Sequence, residues 1–463
     1  MVRLFNVYYP KRVLVLLGVD ALLVCVSFLL AAYVRFGEDS VLLLYYAGGY
    51  SQVALASGIC LLCLYYFDLY DPLIISNARE ILIRLIQVLG VTCLIMAPLS
   101  YFFPATRLEI VFFSMGILLA GLSLTGWRKL FLVLNGSPRL ARRAVILGTG
   151  SQAKSLSTEI EKRPEWGVRL LGYVGEPPDS LAAVNGLRRL GGSEDLAALV
   201  ERERVSQILV AMDERRGRLP VDLLLRLKTH GVLVQDGNDV YESLTGKVPL
   251  NSFRLSWLLF SSGSPVSQLM LIYKRLTSII LSALGLIITL PLMAVIAVAL
   301  RLDSKGPIIF RQKRVGQDGN LFDLYKFRSM HDSADLTSQF TPAQENDARF
   351  TRVGRWLRRT RLDELPQLYN ILRGDMSFIG PRPFVPNQEE ELAEKIPYYR
   401  QRWVVKPGAT GWAQINHGYC ATVEDNAEKL AYDLFYIKNM SMGLDLLIAF
   451  RTIKVLLLGR GAR

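Results

Sequence analysis

Residues 276–300 read LTSIILSALGLIITLPLMAVIAVAL, an uncharged apolar run long enough for a helix to cross a bilayer core. Lys274 and Arg275 precede this run and Arg301 follows it, so both flanks are positively charged. Because positive flanks stay in the cytoplasm, these charges do not favour a crossing. Pro291 removes a backbone hydrogen bond from the middle of the run and kinks a helix. We therefore predict a re-entrant helix-break-helix that enters and leaves on one face, against the alternative of a fifth spanning helix.

Four further apolar runs lie closer to the N-terminus, in a chain of 463 residues of which 51% are hydrophobic. Within residues 1–130 we predict transmembrane helices at about 13–34, 41–66, 81–103 and 110–127. The first run is too long for a signal-peptide core, so we expect no cleavable signal. The loop that carries Glu38 and Asp39 is acidic. Basic residues flank the first and fourth spans: Arg3, Lys11, Arg12, Arg128, Lys129, Arg139, Arg142 and Arg143. The positive-inside rule therefore places the N-terminus and everything after the fourth span in the cytoplasm.

The charge and the cysteines argue against some classes of protein. The net charge is +13, but no nucleic-acid-binding signature accompanies it, so we expect no nucleic-acid partner. A basic membrane protein instead suits anionic lipid head groups and phosphorylated substrates. Four of the five cysteines lie inside apolar runs, and packing explains the Cys60–Cys63 pair better than redox chemistry. The sequence has no disulfide framework or zinc pattern, and its three histidines are far apart.

Residues 140–265 alternate between strand and helix patterns. Strands are predicted at 144–148, 170–174, 207–211 and 232–235. Helices are predicted up to Lys162, near 194–203 and at 221–229. Alternation of this kind predicts a parallel, Rossmann-like sheet.

A glycine-rich turn, Gly148-Thr-Gly150-Ser-Gln-Ala153, follows the first of these strands and matches the relaxed dinucleotide fingerprint. Its glycines allow a tight turn and the close approach of a phosphate to a helix N-terminus. Glu176 is a candidate acidic partner for a ribose, although the two prolines after it are poor context for a strand end. Two interpretations stay open: a nucleotide-binding domain, and a scaffold or dimerisation module.

Five arginines within residues 352–361 come directly before two adjacent carboxylates, Asp363 and Glu364. A structural interpretation is a solvated basic helix followed by a carboxylate N-cap, with Pro366 in the next first turn and Gly374 after the last turn. A chemical interpretation is equally compatible with the pattern. A helix N-terminus can hold a phosphate, and guanidinium groups grip its oxygens and keep a carboxylate ionised and nucleophilic. Paired carboxylates beside a diphosphate also suit Mg²⁺, which we predict as the cofactor.

Several long motifs occur in order over residues 270–463. They are the Lys274-Arg275 start of the Pro-broken helix, GPIIFRQ at 306–312, KFRSM at 326–330, LDELPQ at 362–367, GPRP at 380–383 and PGATGW at 407–412. This region resembles the bacterial sugar transferase family, the monotopic phosphoglycosyl transferases that start exopolysaccharide and O-antigen synthesis. The four spans and the middle module resemble the long-form members, which begin with glucose- or galactose-phosphate.

The resemblance implies a membrane protein of three parts at the bacterial inner membrane. These are a four-helix transmembrane bundle (1–130), a Rossmann-like α/β cytoplasmic domain (140–265) and an α/β monotopic catalytic domain (270–463) with its re-entrant helix. The implied partners are a UDP-sugar, polyprenyl phosphate and membrane lipid. We also expect that a homodimer can form through the middle domain.

The resemblance also implies roles for individual residues. Asp363 attacks the β-phosphate of the UDP-sugar, releasing UMP, and polyprenyl phosphate then takes the phosphosugar. Glu364 is tied to Mg²⁺, Arg382 to the nucleotide and Arg358 to phosphate. The matching motifs add four residues to the predicted substrate-binding set: Lys326, Arg328, Pro381 and Pro383. The two prolines fix φ on both sides of Arg382 and so preorganise its contact.

Many relatives have serine directly before the helix-breaking proline, whereas Leu290 precedes Pro291 here and Thr289 lies one step back. Two rival functions remain. A membrane-anchored nucleotide-sugar dehydratase or epimerase needs a Tyr-x-x-x-Lys pair, and the sequence contains none. A non-catalytic membrane scaffold leaves the arginine run, the paired carboxylates and the Pro-Arg-Pro segment unexplained.

Overall fold

We describe a computed structural model of the chain over residues 2–46, 48–71, 78–135, 141–163, 166–175, 186–250, 268–331, 349–418 and 422–457. These residues form two compact units. The first is Met1–Arg3 with Tyr8–Val240, and the second is Leu4–Val7 with Tyr241–Arg463. Two short strands, β1 (Val2–Leu4) and β2 (Val7–Tyr9), form a two-stranded sheet. Glu176, the predicted acidic partner of the fingerprint, lies outside the described residues.

The helices of the first unit are apolar and cover the four predicted spans. They are α1 (Lys11–Phe36), α2 (Ser40–Tyr46), α3 (Gly49–Tyr66), α4 (Ala78–Phe102) and α5 (Ile110–Asn135). Five segments among the described residues are long and apolar enough to cross a membrane: 11–46, 49–66, 79–102, 110–134 and 268–303. Cys60 and Cys63 are free and buried in the core that these helices share, which confirms the packing interpretation of that pair.

The prediction of one continuous span over 41–66 is wrong. The helix divides into α2 and α3 next to Gly48, which has a φ of 71°. A positive φ of this kind is costly for most residues but open to glycine, and it cannot continue a right-handed helix. In the sequence this glycine lies within an apolar run, and nothing in the run marks the break.

Arg128 was counted above as a cytoplasmic flanking charge, but its side chain is buried inside the helical bundle. Its Nη2 lies 2.5 Å from Oδ2 of Asp20, and the two side chains are 1% and 0% exposed. Its Nη1 donates to the carbonyl of Leu69 at 2.5 Å, and its guanidinium lies over the ring of Tyr70. One arginine therefore joins α1, α5 and the turn that follows α3.

The middle module is a five-stranded parallel sheet, which confirms the predicted alternation. Its strands are β3 (Arg142–Leu147), β4 (Val168–Val174), β5 (Arg189–Gly191), β6 (Gln207–Val210) and β7 (Leu233–Asp236). The helices between and after them are α6 (Ser151–Glu161), α7 (Leu196–Arg202), α8 (Val221–Thr229) and α9 (Gly237–Thr245). The strand order is β5-β4-β3-β6-β7, so the order reverses between β3 and β6, the position at which folds of this kind bind ligands.

The second unit is built around α10 (Gln268–Asp303), a single helix of 36 residues with Pro291 inside it. The predicted interruption at Pro291 is therefore wrong, because the helix continues through it. Proline cannot donate to the carbonyl four residues back, which weakens the helix locally without ending it. Thr289 donates from Oγ1 to the carbonyl of Gly285 at 2.7 Å, a side-chain bond of the kind that bends helices.

The remaining elements of the second unit follow α10. The strands are β8 (Ile309–Val315) and β9 (Leu321–Phe327), which pair antiparallel, and β10 (Ser377–Ile379) and β11 (Gly408–Thr410), which pair parallel. The helices are α11 (Arg352–Thr360), α12 (Gln367–Arg373), α13 (Pro386–Lys395), α14 (Trp412–Asn416), α15 (Val423–Asn439) and α16 (Met442–Leu457). Helix α15 supplies much of the buried core, including Leu430, Leu434 and Phe435.

Candidate active site

The adjacent carboxylates Asp363 and Glu364 lie on a single 3₁₀ turn between α11 and α12. Helix α11 ends at Thr360, and the next residue, Arg361, has a left-handed φ of 56° that cannot continue the helix. The predicted carboxylate N-cap is wrong, because Pro366 occupies the N-cap of α12 and no side chain caps that end. The predicted end is confirmed: Gly374 terminates α12 with a φ of 103°.

Helix α11 is fixed against the end of β9 by an unusually close backbone approach. A Cβ atom on Gly354 would lie 2.1 Å from the carbonyl oxygen of Ser329, so only glycine fits at this position. The hydroxyl of Thr351 caps the helix by accepting from the Gly354 amide at 2.9 Å. The strand that carries Lys326 and the helix that leads to Asp363 are thereby held together.

The side chain of Asp363 is buried, only 7% exposed, and it accepts no hydrogen bond from the described residues. Leu362 and Leu365 on either side pack into a cluster with Phe327 and Leu357, which turns this carboxylate away from solvent. Burial raises the pKa of Asp363, and Lys326 opposes that rise. The sequence analysis expected nearby guanidinium groups to keep such a carboxylate ionised, but at Asp363 desolvation outweighs them.

Glu364 has the opposite electrostatic environment. Its Oε1 accepts from Nη2 of Arg382 at 2.8 Å and from Nζ of Lys326 at 3.1 Å. Burial opposes ionisation here too, but the two positive charges outweigh it and hold the pKa of Glu364 well below its usual range. Glu364 is therefore an ionised carboxylate with two fixed cations, whereas its neighbour is a carboxyl whose charge is disfavoured.

Lys326 reaches Glu364 from β9, and a buried asparagine on α12 holds the two elements in register. Asn370 accepts from the amide of Tyr325 at 3.0 Å and donates to the carbonyl of Asp323 at 2.7 Å. Burial lowers the pKa of Lys326, although Glu364 partly offsets that effect. The sequence analysis did not single out Asn370, because an asparagine inside a short helix carries no distinguishing pattern.

The Pro381-Arg382-Pro383 segment is held at each of its carbonyl groups. The carbonyl of Pro381 accepts from the Gly408 amide at 2.9 Å, and that of Pro383 accepts from Nη1 of Arg314 at 3.3 Å. The carbonyl of Arg382 itself accepts from Nη2 of Arg402 at 2.8 Å. The orientation of Arg382 thus depends on these three hydrogen bonds as well as on the fixed φ angles of the two prolines.

Arg402 is a functional candidate that the sequence analysis missed. It is 3% exposed, and its guanidinium contacts two buried acids, Glu389 (Nη1 to Oε1, 3.1 Å) and Asp433 (Nη2 to Oδ2, 3.0 Å). It also lies over the rings of Tyr399 and Phe384. A basic residue in a stretch without motif spacing gives no sequence signal that it is buried.

The two other predicted substrate contacts lie apart from one another. Arg358 is on α11 over the ring of Phe350, with its guanidinium carbon 4.5 Å from the ring centre, and its charge partly opposes the rise in the pKa of Asp363 that burial causes. Arg328 is instead buried at the C-terminal end of α10, where Nη2 donates to Ser304 and Nη1 to the carbonyl of Lys305. The structure therefore brings Arg358, Lys326 and Arg382 toward the carboxylates, but not Arg328.

The two carboxylates are the donors that the site offers to the predicted Mg²⁺. Among the described residues no group of three or more His, Cys, Asp or Glu side chains could hold a metal ion. Oε2 of Glu364 and both carboxylate oxygens of Asp363 accept no hydrogen bond from the described residues, so they are available as metal ligands. Mg²⁺ binds through one or two carboxylates together with substrate phosphates and water, so this pair fits an ion that arrives with a diphosphate.

Residues 269–459, which contain every element of this site, match the bacterial sugar transferase family. A UDP-glucose:undecaprenyl-phosphate glucose-1-phosphate transferase of Klebsiella pneumoniae is 45% identical over 324 residues, 67% of this chain and 67% of that protein. The chain belongs to the bacterial sugar transferase family. Residues 65–235 of this family member also match a family described as a CoA-binding domain.

Other bacterial sugar transferases differ in the sugar that their names print. An undecaprenyl-phosphate glucose phosphotransferase of Komagataeibacter xylinus is 36% identical over 338 residues, 70% of this chain and 60% of that protein. A UDP-N-acetylgalactosamine-undecaprenyl-phosphate N-acetylgalactosaminephosphotransferase of Aeromonas hydrophila is 43% identical over 225 residues, 48% of this chain and 52% of that protein. The chain thus spans about half to two thirds of the length of these relatives.

Proposed function

We propose that this protein transfers a hexose-1-phosphate from a UDP-sugar to polyprenyl phosphate at the cytoplasmic face of the bacterial inner membrane. The single observation that carries the proposal is the contrast between Asp363 and Glu364. Asp363 accepts no hydrogen bond from the residues that the structure describes, whereas Oε1 of Glu364 accepts from Lys326 and Arg382. A carboxylate with no fixed partner is free to form a bond, and the neighbouring cations can bind a diphosphate. The names of the relatives support both substrates.

In the first step an oxygen of Asp363 attacks the β-phosphorus of the UDP-sugar. A new bond forms between that oxygen and the β-phosphorus, and the bond from this phosphorus to the bridging oxygen breaks. The bridging oxygen keeps the electron pair and leaves as UMP. Fixed cations such as Arg382 stabilise the negative charge that develops on the departing phosphate.

In the second step a phosphate oxygen of polyprenyl phosphate attacks the same phosphorus. The bond from phosphorus to Asp363 breaks, which regenerates the carboxylate and yields polyprenyl-diphosphate-sugar. Mg²⁺ bound through Glu364 would supply charge neutralisation of the diphosphate. Mass spectrometry of protein given UDP-sugar without acceptor, after rapid quenching, should detect a phosphosugar on Asp363. Full turnover in a well-folded Asp363→Asn variant would rule out the covalent route.

A one-face course for α10 is supported by the contacts at its two ends. Near its start, Arg275 donates to the carbonyls of Ile371 and Leu372 on α12. Near its end, Asp303 accepts from the amide of Val353 on α11 at 3.1 Å. Both ends thus bind the unit that carries the carboxylates, whereas a crossing helix would leave one end across about 30 Å of hydrocarbon.

The middle of α10 presents the apolar surface that a membrane-inserted segment needs. Ile287, Ile288 and Leu290 are 71%, 66% and 64% exposed. Cysteine-accessibility labelling of Lys305→Cys, in a protein without its native cysteines, should report the cytoplasmic side, and Glu38→Cys should report the opposite side. Periplasmic labelling at position 305 would establish a crossing instead.

The lipid character of the acceptor is supported by an apolar cavity of about 380 Å³ between α10 and α11. Leu292, Val295 and Ala299 line it from α10, and Val353 and Trp356 line it from α11. Leu357 belongs both to this cavity and to the cluster that buries the turn with Asp363. A polyprenyl chain is the part of the acceptor that an apolar surface of this kind would contact.

Assaying UMP release from a panel of UDP-sugars, with and without polyprenyl phosphate, tests the proposal against its rivals. A transferase releases UMP and forms a lipid-linked sugar. A dehydratase or epimerase changes the sugar and releases no UMP, and a scaffold does neither. The same panel identifies the sugar, since the relatives name glucose in one case and N-acetylgalactosamine in another. A homodimer through the middle module stays a prediction.

A further inference from the structure

The phosphate-binding turn of the middle module is occupied by a side chain of the chain itself. Asp213 follows β6 and extends to the N-terminus of α6, which begins directly after Gly150. Its Oδ2 accepts from the amide of Ser151 at 2.9 Å and from the Ser151 hydroxyl at 3.2 Å. Its Oδ1 accepts from the amide of Gln152 at 3.1 Å.

These donors are the ones that a bound phosphate would need. In parallel α/β folds the first amides of the helix after the first strand point at the ligand's phosphate. They lie here at the reversal of strand order between β3 and β6, where such ligands bind. Since Asp213 takes the first two amides of α6 and the serine hydroxyl, a phosphate could bind only by displacing a carboxylate of the same charge.

Contacts within the chain also explain why glycine occupies the two positions of the fingerprint, 148 and 150. A Cβ atom on Gly150 would lie 2.0 Å from Oδ2 of Asp213, so the room that a glycine leaves for a phosphate holds the carboxylate. A Cβ atom on Gly148, whose φ is 131°, would lie 2.1 Å from the carbonyl oxygen of Ala211 at the end of β6. Both glycines are needed for internal packing, whether or not a ligand binds.

A nearby cation is engaged as well. Arg215, two residues after Asp213, forms a bidentate ion pair with Asp236 at the carboxyl end of β7. This hydrogen-bonded pair raises the pKa of Arg215. At the carboxyl edge of the sheet, the amides that could bind an anion are therefore bound to Asp213. The arginine that could bind an anion is paired with Asp236.

We propose that Asp213 is a built-in substitute for the ligand phosphate, so that the middle module binds neither CoA nor a dinucleotide at this turn. The residues present do not fit the ligand that the matching domain family implies. The module has the strand order of a nucleotide-binding sheet. Asp213 lies where a phosphate would bind and links the end of β6 to the first turn of α6. This inference does not depend on the proposed transferase activity.

The test uses the full chain in detergent, with calorimetry for CoA and thermal unfolding in the presence of inorganic phosphate. The wild-type protein should give no saturable heat with CoA. Asp213→Ala should unfold at a lower temperature, and inorganic phosphate should restore part of that loss by replacing the carboxylate. Asp222→Ala removes a carboxylate from the first turn of α8 and should show neither effect.

Two outcomes would overturn the proposal. One is saturable CoA binding by the wild-type protein that inorganic phosphate competes away. The other is an Asp213→Ala protein that unfolds at the wild-type temperature. If Asp213→Ala does not fold, Asp213→Asn keeps one acceptor oxygen without the charge, and the same phosphate-dependent rise in unfolding temperature is expected. No rise in Asp213→Asn would count against the substitute role.

Discussion

Arg382 donates from Nη2 to Oε1 of Glu364 at 2.8 Å, a contact that joins the Pro-Arg-Pro segment to the carboxylate turn. Glu364 in turn raises the pKa of Arg382. Asp363, the next residue along the turn, has its pKa raised by burial. The pKa values of two adjacent carboxylates are therefore shifted in opposite directions, an arrangement that separates two roles in many active sites.

Replacing Asp363 with Asn should stabilise the protein while abolishing transfer. An ionised carboxylate at this position is disfavoured by burial, and an amide of the same size removes that cost. We expect turnover to fall by about 10³-fold or more, as for other essential nucleophiles, and the unfolding temperature at neutral pH to rise. Thermal unfolding and UMP release measured on one preparation test both parts.

The stabilisation by Asp363→Asn should depend on pH in a defined direction. Below the ordinary range of an aspartate, the carboxyl is protonated in both the folded and the unfolded chain, so the variant has little advantage. As pH rises toward the raised pKa of the folded state, the wild-type protein loses stability and the variant does not. An advantage that instead grew toward acid pH would contradict the raised pKa of Asp363.

Glu364→Gln should have the opposite effect on stability. It removes the negative charge that Lys326 and Arg382 share, and losing charge-assisted hydrogen bonds at partly buried side chains costs about 2 kcal/mol. Because the pKa of Glu364 is depressed, its stabilisation is present above the ordinary glutamate range and is lost only as pH falls through the lower value. The defect should therefore persist through neutral and mildly acid pH. Glu391→Gln, which removes one partner of an exposed pair with Lys395, is the matched control.

Much of the fold could be predicted because its patterns are local. Apolar runs of bilayer length predicted the long apolar helices, and alternating strand and helix patterns predicted the parallel sheet. The division of the predicted second span into α2 and α3 at Gly48 was missed. A glycine inside an apolar run gives the same sequence pattern whether it packs within a helix or ends one. The course of α10 through Pro291 was missed for a similar reason: a proline weakens a helix, but packing at both ends can maintain it.

The site was predictable where motifs carried it and not where long-range packing did. Asp363, Glu364 and Arg382 stood out by residue type and spacing, and the structure brings them together. The interactions of Arg402 and Asp213 join segments far apart in sequence, so no local pattern marks them. Burial, which reverses the expected effect of arginines on Asp363, is likewise a property of the folded chain.

Arg402 is expected to act as a positioning residue for Arg382. Arg402→Lys keeps a buried positive charge between Glu389 and Asp433. It loses the planar guanidinium group, whose Nη2 also donates to the carbonyl of Arg382. We expect the KM for the UDP-sugar to rise several-fold more than kcat falls. Arg400→Lys, at an exposed position of the same segment, should leave both unchanged. A purely structural role would lower the amount of folded protein and leave KM unaltered.

The helical bundle contains one more pair whose role can be measured, Asp20 on α1 and Arg128 on α5. Both are buried, and Oδ1 of Asp20 and Nε of Arg128 have no hydrogen-bond partner among the described parts of the chain. Charged groups at membrane depth are expensive and persist where they pair with one another. The pair, with the carbonyl of Leu69, fixes the turn after α3 against two other helices.

Asp20→Asn should destabilise the bundle by about 3 kcal/mol or more, because it leaves the guanidinium of Arg128 buried without a counter-charge. The double replacement Asp20→Leu with Arg128→Met removes both charges and should recover most of that loss, since apolar groups of similar size need no partner. Glu109→Gln breaks the exposed pair with Arg35 and should have a much smaller effect. Unfolding of the detergent-solubilised proteins, compared as a double-mutant cycle, measures the coupling. If the double variant loses as much stability as Asp20→Leu and Arg128→Met lose together, the two charges are not coupled and the expected recovery is wrong.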